Sequence, residues 1–178
     1  MHVKKGGQIW IETAIYTLIG LALIGMVLGF AMPKIKQAQE KIIVEQSYNS
    51  LKSMDTIIRD VVNQGAGNRR QYELIFKKGK FTIDQQKNII SFTVPELSKA
   101  YSQPGINVSL GNIKLLTTAG KKDFTTVLRI EYGGYADIIV KNAANTKEYS
   151  PAPTPYKIFV FNNGTGKPSG LPGIIIEE

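Results

Sequence analysis

The chain has 178 residues, with 22 Lys and Arg against 14 Asp and Glu, a formal net charge of +8, and no cysteine. That length suits one domain with an appendage, and the absence of thiols excludes a disulfide framework and thiolate chemistry. The cations are scattered, as at Lys77, Lys78, Lys80, Lys121 and Lys122. They do not form the aromatic-interleaved basic stripe of a nucleic-acid binder, so no nucleic acid is required as a partner.

Residues 1–7 contain Lys4, Lys5, Gly6 and Gly7, and Gln8 opens an apolar run. From Ile9 to Met32 the clearly polar side chains are Glu12, Thr13, Tyr16 and Thr17. A helix needs about 20 apolar residues to cross a bilayer, so residues 8–33 are expected to form a single membrane span. Pro33-Lys34-Ile35-Lys36 follows the run in place of a small-residue cleavage pattern, so the span is expected to be retained. Lys4 and Lys5 favour an N-terminus in the cytoplasm and a C-terminal domain outside, and Lys34, Lys36 and Lys41 on the far side weigh against that orientation. Gly25 and Gly29 have the small-xxx-small spacing of close helix contacts, although glycine is common in membrane helices in any case.

Glu12 is the residue that needs explaining. An ionised Asp at the centre of a membrane helix costs about 2.5–3.5 kcal/mol, and an acid near the end costs less. Glu12 therefore either sits at the cytoplasmic interface or pairs with a cation from a neighbouring chain, because charge in lipid is tolerated when paired. A cut after Gly7 would create such a cation, the α-amino group of Gln8, about one helical turn from Glu12.

Lys4-Lys5-Gly6-Gly7, then Gln8-Ile9-Trp10-Ile11-Glu12 and a long apolar helix, resemble the class III signal of archaeal type IV pilin-like proteins. The resemblance covers roughly the first third of the chain. It implies that a prepilin peptidase cuts after Gly7 on the cytoplasmic face, with Lys4, Lys5, Gly6, Gly7 and Gln8 as the processing site. It also implies that Gln8 and Glu12 serve filament assembly. Gln8 leans toward the archaeal proteins, since bacterial type IV pilins usually begin with an apolar residue, and Glu12 leans away from archaellins. Trp10 departs from the family, which often has Ser there. An assembly ATPase and a platform membrane protein are partners implied by the resemblance alone.

Pro33 is expected to kink the helix without ending it, because the apolar pattern resumes. Ile35, Ala38, Ile42, Leu51, Ile58 and Val61 lie on one face of residues 34–64, and Gly65-Ala66-Gly67-Asn68 stops the helix. The apolar stripe is wider than a coiled-coil seam, which favours packing on a sheet.

Residues 68–178 read as a β-rich extracytoplasmic domain. Strands are expected at Tyr72–Phe76 and Lys80–Ile83, joined as a hairpin by Lys77-Lys78-Gly79, and at Asn88–Val94, closed by Pro95. Asn107–Leu116 reads as one strand. Val127–Tyr132 and Tyr135–Val140 read as a hairpin across Gly133-Gly134. Tyr156–Phe161 and Ile174–Ile176 are late strands, Ser150–Pro155 is a stiff extended loop, and Asn162–Gly173 is turn-rich. The fold class is α+β: a long N-terminal helix packed on a mostly antiparallel sheet, as in pilins.

Signals for catalysis are sparse. His2, the sole histidine, falls in the leader, and HExxH, P-loop and GxSxG patterns are missing. No cofactor, metal site or catalytic residue is assigned, and an enzyme is not expected. Glu131 and Asp137 read as solvated edge acids, Asp84 as a turn residue, and Tyr101, Tyr132, Tyr135, Tyr149 and Tyr156 as core fillers. Asn107-Val108-Ser109 and Asn163-Gly164-Thr165 match the N-glycosylation acceptor pattern.

These features are those of a processed subunit of a surface filament that polymerises through its N-terminal helix after leaving membrane lipid. Two other readings share them. One is a surface binding protein held by a single span that never polymerises. The other is a minor pseudopilin of a secretion or DNA-uptake machine.

Overall fold

The computed structural model describes residues 5–165 and 169–178, with side chains described from residue 10 to 164 and from 169 onward. Its class is α+β. Among the described residues one helix, α1 (Lys5–Asn63), precedes ten strands, and the chain divides into two compact units, residues 1–39 and 40–178.

Pro33 lies inside α1 and does not end it. The helix stops where Gly65 and Gly67 both take positive φ, 85° and 88°, a conformation that glycine adopts without a Cβ penalty. Asn68 caps the end by donating from Nδ2 to the Gln64 carbonyl at 2.8 Å.

The strands are β1 (Arg69–Leu74), β2 (Lys80–Asp84), β3 (Ile89–Leu97), β4 (Asn107–Leu110), β5 (Ile113–Ala119), β6 (Phe124–Glu131), β7 (Asp137–Val140), β8 (Thr146–Tyr149), β9 (Tyr156–Thr165) and β10 (Pro172–Glu177). They form two sheets, a four-stranded one of order β1-β9-β10-β7 and a six-stranded one of order β4-β5-β6-β3-β2-β8. Among the described strands β10 and β7 pair in parallel, and the other pairs are antiparallel. Alternation along β2, β3, β5 and β6 sends every second side chain inward, as the two-residue period of a half-buried strand requires.

One hydrophobic cluster joins the second unit's helical residues to both sheets. Leu51, Met54, Ile58 and Val61 are fully buried there, with Phe81 and Phe92 from the larger sheet and Ile158 and Ile174 from the smaller one.

Several expected strand partnerships differ. β1 does not pair with β2: it joins β9 in one sheet while β2 joins β3 and β8 in the other. Lys77-Lys78-Gly79 is therefore a crossing between sheets, not a hairpin turn. Likewise β6 and β7 lie in different sheets, so Gly133-Gly134 belongs to a turn that carries the chain across. In that turn the amides of Tyr135 and Ala136 donate to the Tyr132 carbonyl. Asn107–Leu116 is a hairpin, β4 and β5, turning at Gly111 and Asn112. Pro95 does not close β3; the strand runs on to Leu97 through a bulge between Val94 and Leu97, with Glu96 at φ 56°. β9 continues to Thr165, beyond the expected end at Phe161, and β8 carried no expectation. Ser150–Pro155 is an irregular connection, as its prolines require.

Crossing at Gly79 demands glycine. Its φ is +102°, and a Cβ there would meet the Thr93 carbonyl oxygen at 2.6 Å and Phe92 Cε1 at 2.8 Å. Gly79→Ala should lower unfolding free energy by at least about 2 kcal/mol through strain and overpacking. Chemical denaturation of the detergent-solubilised chain measures this.

Candidate assembly segment and its anchorage

The first unit is defined by apolar surface that the unit does not itself bury. Trp10 is 76% exposed, Leu21 66% and Phe30 75%. The helix is long and apolar enough to cross a membrane. A helix that is hydrophobic all round is stable only where lipid or protein surrounds it. Its polar groups are consistent with such a medium. Thr17 Oγ1 donates to the Thr13 carbonyl at 2.8 Å, so that hydroxyl is satisfied locally. A Cβ built on Gly20, Gly25 or Gly29 would meet nothing within 4 Å, so these smooth patches are open to a partner helix or to lipid chains.

The processing residues divide by what is described. Lys4 lies outside the described residues. Lys5, Gly6, Gly7 and Gln8 are described as backbone only, in the first turns of α1. Glu12 is exposed on α1, and the four-residue step from Gln8 puts the two positions about one turn apart.

In the second unit two acids lie on the buried stripe of the helix. Asp55 accepts from Arg59 Nε at 2.9 Å, Asn112 Nδ2 at 3.0 Å and the Tyr132 hydroxyl at 3.1 Å. These contacts tie the helix to the β4–β5 turn and to the segment after β6. The hydrogen bond to Asp55, ahead of the opposing effect of burial, raises the Arg59 pKa. Burial, followed by the Asp55 charge, pushes the Tyr132 hydroxyl far above its ordinary value. Glu40 Oε2 accepts from the Ser98 amide at 2.8 Å and the Ser98 hydroxyl at 2.6 Å, fixing the helix beside the end of β3.

Both acids are buried although their side chains are polar. The steps 40, 44, 47, 51, 54/55 and 58 put them on the apolar stripe, and that spacing was the available signal. Asp137 also corrects its expected place. It is 2% exposed and accepts from Asn88 Nδ2 at 3.2 Å and from the Ser169 hydroxyl. Glu131 is instead held by Lys114 and Arg129, and the Lys114 hydrogen bond lowers its pKa. Asp84 caps its own turn, accepting from the Gln86 and Lys87 amides. Tyr132 and Tyr149 are buried, and Tyr101, Tyr135 and Tyr156 pack against the core.

No family model, curated protein or solved structure matches this chain. Among the described residues no group of three or more His, Cys, Asp or Glu side chains is placed to hold a metal ion. The sequon asparagines are exposed, Asn107 on β4 and Asn163 on β9.

Asp55→Ala should destabilise the second unit by about 3 kcal/mol, because it leaves the buried Tyr132 hydroxyl without its acceptor and removes the partner of Arg59 and Asn112. Denaturant titration followed by far-UV circular dichroism reads this out. A second outcome concerns pH. Burial, then the nearby Glu178 carboxylate and Tyr156, push the Tyr149 hydroxyl up to about 12, whereas an unfolded tyrosine ionises near ~10. The folded state thus keeps a proton that the unfolded state releases. The resulting stability is present below pH ~10 and is lost as pH rises toward the folded value. Tyr149→Phe should flatten the alkaline decline in denaturation midpoint while leaving the midpoint near neutrality almost unchanged.

Proposed function

We propose that this chain is a structural subunit of a type IV pilin-like surface filament, trimmed after Gly7 and polymerised through its N-terminal helix. The observation that carries this reading is the helical surface from Trp10 to Met32, apolar on all sides and exposed. In the precursor, membrane lipid covers that surface, with the N-terminus in the cytoplasm and the β unit outside. In the filament, the same surface of other copies covers it. Head-to-tail contacts of this kind generate open helical arrays.

Glu12 then acts as a register device. The trimmed chain begins with the α-amino group of Gln8, and a neighbour displaced along the filament axis presents that ammonium to Glu12. Pairing offsets the desolvation of both charges, while a subunit out of register leaves a charge buried and uncompensated, which is costly. The resemblance supplies the remaining machinery as proposals: a prepilin peptidase, an assembly ATPase and a platform membrane protein.

Glu12→Ala should insert into membranes at the normal level but reduce filament yield at least tenfold, as counted by electron microscopy of cell-surface fibres. Equal yield from mutant and wild type would overturn the pairing. A bulky residue in place of Gly7 should leave the N-terminus untrimmed, as read by intact mass spectrometry. A wild-type chain recovered from cells with its N-terminus at Met1 would replace the filament with a non-polymerising membrane-anchored surface protein.

A further inference from the structure

The two N-x-S/T sequences occupy unlike places in the fold, one on a regular outer strand and the other at an irregularity in β9. β4 is the outer strand of the six-stranded sheet, paired on one side with β5 through Asn107↔Leu116 and Ser109↔Lys114. All four of its residues are exposed. Asn107 and Ser109 are two residues apart and so project from the same face. That face is opposite to the one bearing Val108 and Leu110, which stand across from the buried Leu115 and Ile113. Asn163 is exposed as well, but it lies past the end of the β1 pairing at Phe161, at the irregularity between the β10 partners Asn162 and Thr165. Next to it the Asn162 amide donates to the Asn68 carbonyl and the Gly67 amide donates to the Asn162 carbonyl.

The β4 edge also lacks the protection that the other outer strands have. Unpaired strand edges invite pairing with other chains, and proteins guard them with charge or cover. β8 carries Lys147 and Glu148, each in an ion pair. β1 carries Arg69, Arg70 and Glu73. The open side of β7 is covered by side chains, since Asn88 Oδ1 accepts from the Ile138 amide and Gln85 Oε1 from the Val140 amide, both at 2.9 Å. From Ile106 to Leu110 there is no charge, and Ile106, Val108 and Leu110 are exposed.

We propose that Asn107 is an N-glycosylation site, used in preference to Asn163, and that its glycan guards the open edge of β4. The co-reactant is a lipid-phosphate-linked oligosaccharide. Asn107 Nδ2 attacks the anomeric carbon, and the C–N bond forms as the C–O bond to the lipid phosphate breaks. The phosphate leaves with the bonding pair, and the amide nitrogen loses one proton. An open extended edge offers the transferase both the backbone and the two side chains of the acceptor at once, whereas the Asn163 sequon lies at an irregularity held on one side by β10, with Gly164 at positive φ and its amide donating to Asn162 Oδ1. The inference rests on the outward placement of the β unit in the proposed function, and not on polymerisation.

The test is mass spectrometry of tryptic peptides from the full chain purified from its own cells. The peptide Ala100–Lys114 should carry a sugar mass that disappears in Ser109→Ala and persists in Thr165→Ala. Ala100–Lys114 at its unmodified mass, or a mass that survives Ser109→Ala, overturns the proposal. The same digest reads the N-terminus. A start at Gln8 with unmodified Ala100–Lys114 defeats the glycan alone. A start at Met1 with the sugar present upholds the glycan and defeats the filament.

Discussion

The constraint on which the rest depends is the apolar surface between Trp10 and Met32. At about 25 cal/mol per Å², side chains as large and as exposed as Trp10, Leu21 and Phe30 make this segment incompatible with water. No turn or domain within the first unit covers it. Such a surface calls for another phase or another molecule to cover it, and in the proposed function lipid and then a bundle of like helices do so in succession. In the proposed filament Glu12 is the one place where non-directional apolar contact acquires a defined register.

The second unit solves the opposite problem. There the helix is amphipathic, and burial of Leu51, Met54, Ile58 and Val61 supplies non-directional attachment to two sheets. Asp55 and Glu40 supply direction. A carboxylate that accepts three hydrogen bonds from a helix, a turn and an inter-sheet segment tolerates little sliding, since a shift leaves the buried Tyr132 hydroxyl without a partner. The side chains of Gln85 and Asn88 perform a similar service between the sheets, completing the hydrogen bonding of β7 from the β2–β3 turn. Polar groups thus set the alignment of surfaces that hydrophobic contact alone would leave free to slide.

Much of this architecture was legible locally. The helix and its end near Gln64 followed from residue spacing and paired glycines, and most strands from their alternation. The turn role of Asp84 and the core tyrosines followed as well. Partner choice was not legible. Gly133-Gly134 and Lys77-Lys78-Gly79 are sound turn signals, but a turn signal says that the chain changes direction and not which strand it meets next. At both places the chain leaves one sheet for the other. Asp137 was misread for the same reason: its burial depends on Asn88 and Ser169, which are distant in sequence.

The sequence by itself determined the membrane-length apolar helix, the acid one turn beyond Gln8, the continuation of the helix past Pro33 and the α+β class. Each is a property of neighbouring residues, governed by helical or strand period and by side-chain polarity. Only the tertiary structure decided that there are two sheets, that Asp55 and Glu40 are interior anchors, and that Asn107 lies on an open edge while Asn163 lies at an irregularity in β9. Those facts depend on which distant backbone and side-chain groups fill one another's hydrogen bonds, and pairing at long range leaves no periodic trace in a single chain.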